Sequence, residues 1–302
     1  MQRPTVLRPF SVSHPRAFHV RLADFNRTRL APVADPPTAH NLGLEVKMRS
    51  AELEWIEEER GEIEEAADDV PADVEGFLHW FENLREAGPG QGDPLFPWLA
   101  EHASLDEMRW FLKQEVGGEA GFEDLVALTQ VKMPATAKLE LASNYWDEMG
   151  QGHASGMHGP MLEKLADELD LTAVKGAPVW ESLALGNLMV GLANNRCYAF
   201  QSIGALGAIE LTAPGRAALV NAGLKRLGIG GEARRYFALH ATLDIKHSER
   251  WNRSVLRPLV EERPELARPI AEGALLRLRA GARCFERYRH ELGLDAHSRR
   301  AS

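Results

Sequence analysis

Cysteine is scarce in this chain, since only Cys197 and Cys284 occur among 302 residues. Two thiols cannot form a disulfide framework or a cysteine-ligated zinc site, and such sparse use suits a reducing compartment such as the cytoplasm. Any bound metal must therefore be held by histidine and carboxylate side chains, for which the chain offers 11 histidines and 44 acidic residues.

Positive charge and long apolar runs are also lacking. The chain has 35 Lys and Arg residues against 44 Asp and Glu residues, a net charge of −9, which argues against nonspecific nucleic-acid binding as its main role. The longest uncharged stretch near the middle, 182–195, is too short to span a bilayer. The N-terminus has no apolar run of the kind found in secretory signals. We therefore expect a cytoplasmic protein without a membrane or nucleic-acid partner.

Strand signals are nearly absent, as are glycine-rich nucleotide loops and the GxSxG and CxxC motifs. Apolar residues instead recur at helical spacing, which predicts an all-α fold. We divide the chain into a Pro- and Arg-rich arm (1–43), accessory helices (44–95), a helical core (96–293) and a polar tail (294–302). Six prolines within the first 40 residues argue against helix in the arm. A single long helix is predicted over about 178–211, ending near Pro214.

The first accessory helix, over 44–67, is strongly acidic. Between Glu52 and Glu75 there are twelve acidic residues and one basic residue, Arg60. Runs of like charge usually form a solvated face, so we expect this helix to expose its acids and to bury only a thin apolar stripe. An acidic surface for binding a partner is the competing interpretation. The second accessory helix is amphipathic and is predicted to end at Gly88.

The most specific pattern in the core consists of His240, Asp244 and His247. At about 100° per residue these positions fall at about 0°, 40° and 340° around a helix, which is one narrow stripe. Large apolar residues occupy the other directions of this helix, so the stripe is not simply the wet face of an amphipathic helix. Two imidazoles and a carboxylate in register are typical ligands of iron, manganese or zinc.

One helix cannot complete a metal site, and helix bundles recruit further carboxylates and histidines from facing helices. Glu210 lies in an apolar stretch, where an unpaired carboxylate would be costly to bury. Glu148 ends an aromatic turn in which Asp147 is the competing carboxylate. Glu119 lies among glycines, with Glu115 one turn earlier on the same face.

Together these residues resemble the heme-oxygenase-like diiron oxidase and oxygenase superfamily, the iron-containing redox enzymes. The resemblance rests on the His-x3-Asp-x2-His helix that ends at His247, on a preceding Glu matched by Glu210, and on a Glu-x9-His pair matched by Glu148 and His158. A Glu on the first core helix is matched best by Glu119. The resemblance covers about residues 100–290 and implies a heme-oxygenase-like bundle of about seven core helices, with the accessory helices and arm before it.

The resemblance further implies a pair of iron ions with seven ligands: Glu119, Glu148, His158, Glu210, His240, Asp244 and His247. Four carboxylates would balance two Fe(II) ions, so the cluster could be buried without a large net charge. The implied reaction is the O2-dependent oxidation of a small organic molecule (an amine, amino acid or fatty acid) through a peroxo-diferric intermediate. No other catalytic residue is implied, and Tyr236, one turn before His240, is expected to hydrogen-bond near the metal ligands rather than to be oxidised itself as a radical or sacrificed tyrosine.

Some ligand assignments stay open. Glu115 and Glu123 compete with Glu119 for the first-helix position. His153 competes with His158, because ten residues along a straight helix would leave His158 about 80° away from Glu148 unless the intervening glycines turn the chain.

The metal and the function also have alternatives. Manganese could take the place of one iron, and the protein could be a noncatalytic iron-binding or iron-handling protein, or a helical scaffold that binds a partner protein. The diiron interpretation predicts a small-molecule substrate and is compatible with a homodimer and with an external electron donor. We expect Trp146, Met149, Met157, Phe200 and Ile203 to line the substrate pocket.

Overall fold

The structure, a computed structural model, describes residues 14–294. This part of the chain is built from helices and contains no strand, which confirms the predicted all-α class. The helices are α1 (Pro15–Leu30), α2 (Ala39–Gly61), α3 (Glu64–Asp68), α4 (Val74–Ala87), α5 (Leu95–Glu101), α6 (Leu105–Gly118), α7 (Phe122–Thr129), α8 (Ala135–Glu148), α9 (His158–Glu168), α10 (Trp180–Asn194), α11 (Ala199–Arg226), α12 (Arg235–Trp251), α13 (Arg257–Glu262) and α14 (Ala267–Glu291). The first thirteen residues of the predicted arm, and residues 295–302 of the predicted tail, lie outside the described residues.

Several helix ends follow local sequence signals. At the start of α6 the Glu107 N–H donates to the Ser104 hydroxyl (3.3 Å), and the Ser104 N–H donates to the Glu107 carboxylate (2.8 Å). This capping box satisfies backbone donors that have no partner within the helix. The predicted end of α4 at Gly88 and the predicted start of α8 after Pro134 are both observed.

The prediction that the arm is not helical is wrong for its described part, because α1 forms there. Pro15 is the first residue of α1, where its missing N–H costs nothing and its φ angle suits the helix, and no further proline follows until Pro32. Leu22 is fully buried, and the His19 ring stacks on Trp180 of α10 with 5.5 Å between ring centroids. This part of the arm therefore packs onto the helical core.

The predicted long helix over 178–211 is in fact two helices. The buried Asn195 ends α10, and its side-chain amide donates to the Gly191 carbonyl (2.8 Å) and to the Glu52 carboxylate (3.0 Å). The second helix, α11, continues through Pro214 to Arg226 rather than ending near the proline. The proline removes one backbone hydrogen bond, but α11 is packed against α5, α12 and α14, and this burial outweighs the local loss.

The acidic helix α2 is less solvated than predicted. Glu52 is fully buried, and its carboxylate accepts two hydrogen bonds from the Arg29 guanidinium at 2.7 and 3.1 Å. Glu59 pairs with Arg283 of α14 at 2.8 Å. The acidic run therefore complements arginines of the same chain, and the expectation of a mainly solvated face is wrong for this side of the helix.

Helices α11 and α14 cross in backbone contact at two glycines. A Cβ atom at Gly204 would lie 1.7 Å from the Ile270 carbonyl oxygen, and one at Gly273 would lie 1.7 Å from the Gln201 carbonyl oxygen. A backbone oxygen cannot rotate away as a side chain can, so both positions require glycine. The crossing brings together the two longest helices of the described chain, which both contribute to the candidate site.

One stretch of the described chain, Arg196–Arg226, is long and apolar enough to cross a membrane, with a mean hydropathy of 1.2. Its apolar window is 61% buried inside the protein. This is the environment of a core helix, whose apolar character is explained by its helical neighbours.

Candidate metal centre

Glu148 and His158 meet because the chain between them folds back on itself. Glu148 is the last residue of α8 and His158 is the first of α9. Two short helical turns, Gly150–Gly152 and Ala154–Gly156, connect them. Glu148 Oε2 lies 2.6 Å from His158 Nδ1, so the two side chains face each other although a straight helix would have separated them.

Gly150 is required at the closest point of this loop. Its φ angle is +61°, and a Cβ atom there would lie 2.2 Å from the carbonyl carbon of Gly156. The close approach is between two stretches of backbone, so an added methyl group could be accommodated only by opening the loop.

We expect the substitution Gly150→Ala to separate His158 from Glu148 and to lower the bound iron by about half, because the loop cannot close around a methyl group. Metal analysis of the purified variant measures this. Gly176→Ala is the matched control: Gly176 has a φ angle of +87° but open space around it, so it carries the same backbone strain without the clash. Equal iron content in the two variants would contradict the role given to Gly150.

Helix α12 presents the predicted stripe to the same point. Asp244 and His247 are buried and His240 is half-buried. The Nδ1 atom of His240 lies 2.7 Å from the Tyr236 carbonyl oxygen, a contact that places the proton on Nδ1 and leaves Nε2 free to bind metal. The ring of His240 packs edge-on against His158, with 4.6 Å between centroids.

Glu148 belongs to two groups of side chains that could each hold a metal ion. One group is Glu148, His158 and His240, and the other is Glu148, Glu210 and His247. Within each group the ligand atoms lie within 4.8 Å of one another. Two neighbouring groups that share a carboxylate could hold two metal ions side by side.

Four buried atoms at this centre have no hydrogen-bond partner outside the ligand residues. Asp244 Oδ1 has none at all, Glu148 Oε2 and His158 Nδ1 face each other, and His247 Nδ1 faces Glu210. Buried polar atoms are almost always hydrogen-bonded, because leaving one unpaired is costly. A cation would satisfy all four, and carboxylate oxygen with imidazole nitrogen is a donor set that suits iron or manganese. The residues present therefore fit the metals that the sequence predicts.

Burial and the neighbouring carboxylates set the protonation of the residues at this centre. Burial, and then the Glu210 carboxylate, raise the pKa of both Glu148 and Asp244 well above their usual values. Burial lowers the pKa of His158 and of His240 to about 4, so both imidazoles are neutral and able to coordinate. Burial opposes the charge of His247, but the Glu210 and Asp147 carboxylates raise its pKa to about 9.

Two residues contact the ligands and orient them. Asp147, which the sequence offers as a ligand in competition with Glu148, lies in neither group, and Asn144 was not identified from the sequence. Asp147 Oδ2 lies 3.2 Å from His247 Nε2. The other ring nitrogen of His247, Nδ1, lies 3.4 Å from Glu210 Oε2. The Asn144 amide donates to Glu210 Oε1 at 2.6 Å. Asn144 lies one turn before Glu148 on the same face of α8. A polar residue at that position is the feature by which the sequence could have identified it. Such partners fix the orientation of metal ligands.

The remaining predicted residues are placed less directly. Glu119 lies just after α6 on the wall of the adjoining cavity, outside both groups, and its Oε1 accepts hydrogen bonds from the N–H groups of Ala120 (3.1 Å) and Gly121 (3.0 Å). Its competitors Glu115 and Glu123 line the same cavity. His153 is exposed in the loop between Glu148 and His158 and belongs to neither group.

Tyr236 contacts the centre without contributing a ligand atom to either group. Its ring lies against the His240 ring, with 4.3 Å between centroids, and its backbone carbonyl faces His240 Nδ1. Burial, and then the Glu119 and Glu148 carboxylates, raise the pKa of its phenol well above the usual value, so the side chain stays neutral.

A cavity of about 200 Å³ adjoins the centre. Ligand residues of both groups open onto it, and its apolar wall includes Phe96, Phe111, Phe122 and Phe237. The five residues predicted for the pocket wall do not line it, and Trp146 is 53% exposed. That prediction is wrong because it used neighbours in sequence, whereas the wall is assembled from α5, α6, α7 and α12.

The comparison with protein-family models agrees with the resemblance seen in the sequence. No curated protein matches the chain. A solved structure from Shewanella denitrificans OS217, described as a domain of unknown function with a heme oxygenase-like fold, is similar at 14% sequence identity. The match covers 74% of this chain and 91% of that one, with a TM-score of 0.48. Residues 109–282, more than half of the chain and within the predicted core, match the family described as iron-containing redox enzyme, and the chain therefore belongs to the iron-containing redox enzyme family.

Proposed function

We propose that this protein is an O2-dependent oxidoreductase that holds two iron ions between α8, α9, α11 and α12 and oxidises a small organic molecule in the adjoining cavity. The observation that carries the proposal is the sharing of Glu148 between two groups of ligand atoms. A mononuclear site would need only one such group. A pair of iron ions held by carboxylates and histidines supplies the activation of O2.

The chain's own residues hold and orient that pair. Glu148, His158 and His240 would hold one ion, and Glu148, Glu210 and His247 the other. Asp244 lies between these histidines on α12 with a buried, unpartnered oxygen, so it would complete the set. Glu119 stays the proposed ligand from the first core helix.

The cavity has the properties that such a reaction needs. Its aromatic wall places apolar surface beside the ligand residues, and a less polar environment strengthens electrostatic interactions. Its volume of about 200 Å³ accommodates a small organic molecule rather than a few waters alone. The cavity therefore supports a small-molecule substrate. The proposal also includes an external electron donor.

The experiment is metal analysis of protein produced with added iron, followed by measurement of O2 uptake by the anaerobically reduced protein. We expect about two iron ions per chain, and about one in His240→Ala and in Glu210→Ala, since each variant disrupts one group. His153→Ala is the matched control, because His153 is an exposed histidine near the site. It should keep the full iron content.

Two outcomes would decide against the proposal. Iron content unchanged in both His240→Ala and Glu210→Ala would refute the site. The second outcome concerns O2 uptake, measured with amines, amino acids and fatty acids all offered as substrates. If the protein holds two iron ions but takes up only the O2 that reoxidises those ions, the result would favour an iron-handling protein.

A further inference from the structure

Arg277 of α14 is half-buried, lines the cavity, and makes no hydrogen bond or ion pair with another described residue. Its Nε atom is inaccessible and makes no hydrogen bond. In the described part of the chain no carboxylate oxygen lies within 4.0 Å of its nitrogens. Buried arginines are normally paired, because an unpaired buried charge is costly.

The backbone of α14 leaves space for this guanidinium. A Cβ atom at Gly281, one turn further along the helix, would lie 2.9 Å from Arg277 Nη1. The absence of a side chain there lets the guanidinium lie along its own helix at the cavity wall. Gly281 therefore leaves room for the Arg277 guanidinium at the cavity wall.

Arg216 of α11 adds a second guanidinium to the same cavity. It packs over the rings of Phe96 and Phe285, at 5.8 and 5.5 Å from their centroids, and donates to the Thr212 hydroxyl at 3.1 Å. Neither contact neutralises its charge. Burial, and then the neighbouring charge of Arg277, lower the pKa of Arg216 to about 10, so both arginines are charged at neutral pH.

The nearest acids balance this pair only in part. Glu115 lines the same cavity beyond ion-pair distance, and burial raises the pKa of its carboxyl, which favours the neutral form. The remaining acids of the cavity include the proposed iron ligands. In the described part of the chain none of these acids forms an ion pair with Arg277 or Arg216, so both guanidiniums can accept an anionic group from a ligand.

We propose that Arg277 and Arg216 bind the anionic group of the substrate, so that the substrate is a small organic acid with an apolar body. The planar guanidinium matches the geometry of a carboxylate, and the phenylalanine wall matches an apolar chain. The acid group is then held by the arginines, and the part of the molecule that is oxidised faces Glu148 and the histidines. This inference rests on the proposed function, because it assigns one end of the molecule that the iron centre would oxidise.

The test compares three probes of equal length, hexanoate, hexanol and hexylamine, by calorimetry on the iron-loaded protein without O2. We expect hexanoate to bind and the other two to bind at least about tenfold more weakly. Arg277→Gln should weaken hexanoate about 10- to 100-fold with little effect on hexanol, and Arg277→Lys should recover part of the loss. Arg279→Gln is the matched control, because Arg279 lies on the same helix and pairs with Glu62 on the outside.

The outcomes separate this inference from the proposed function. Equal binding of hexanoate and hexanol, or hexanoate binding that Arg277→Gln leaves unchanged, would overturn the arginine site even if two iron ions are present. Iron content is measured on every variant and should stay at the wild-type value in Arg277→Gln. If the iron centre itself fails, hexanoate binding that depends on Arg277 would still establish the anion site. Because Arg277→Gln removes an unpaired buried charge, its Tm should not fall below that of the wild type, which shows that it folds.

Discussion

Replacing Glu148 by glutamine should remove both of the proposed iron ions, whereas replacing a ligand of only one group should remove about one. Glu148 is the residue shared by the two groups, with Glu210 and His247 on one side and His158 and His240 on the other. A neutral amide keeps the shape of the side chain but cannot supply two negatively charged oxygens to a pair of cations. We therefore expect near-zero iron in Glu148→Gln by metal analysis. Glu140→Gln, two turns earlier on α8, is the control and should keep its iron.

The same variant should leave the metal-free protein at least as stable as the wild type. Burial and the Glu210 carboxylate raise the pKa of Glu148. A carboxyl whose pKa is raised on folding destabilises the folded chain increasingly as the pH rises above its unfolded pKa. The Tm advantage of metal-free Glu148→Gln should thus be larger near pH 8 than near pH 5. Loss of one ion only, in a variant that is folded by this criterion, would show that Glu148 does not bridge the two sites.

The substitution Gly204→Ala should destabilise the whole protein by about 3 kcal/mol or more, which corresponds to a fall in Tm of roughly 5–10 °C. The new methyl group would lie 1.7 Å from the Ile270 carbonyl oxygen. Because α11 and α14 are in backbone contact at this point, one helix must move away from the other. Thermal unfolding of the metal-free protein measures the effect.

Gly215→Ala on the same helix is the matched control for this prediction. Gly215 is exposed, and no atom lies within 4 Å of the position of its Cβ. Alanine is the better helix former, so this variant should gain about 0.5–1 kcal/mol. If both variants changed stability in the same direction, the α11–α14 crossing would not have the tight backbone contact described for it.

The sequence alone was sufficient where local rules apply. Helical spacing predicts the all-α class, and the Ser104 capping box predicts the start of α6; both are observed. It was misleading where tertiary burial overrides a local signal. Pro214 does not end α11, because that helix is packed against several others, including α5, α12 and α14. Pro15 begins a helix rather than preventing one, because proline suits the first helical turn.

The candidate site shows the same division. The placement of His240, Asp244 and His247 on one face of α12 follows from helical periodicity, so it could be predicted from spacing. The meeting of Glu148 and His158 could not, since it depends on a loop in which Gly150 and Gly156 touch through their backbones. Spacing along a chain determines direction only while the chain is a regular helix.

By itself, then, the sequence determined the class of fold, the family, and the residue types available to bind a metal: few cysteines, many acids, and histidines in register on one helix. Only the tertiary structure decided that Glu148 is shared by two ligand groups and that Arg216 and Arg277 face the same cavity. The physical reason is that helical periodicity is a property of neighbouring residues. Which faces of α8, α11, α12 and α14 oppose one another is set by side-chain packing between residues far apart in the chain.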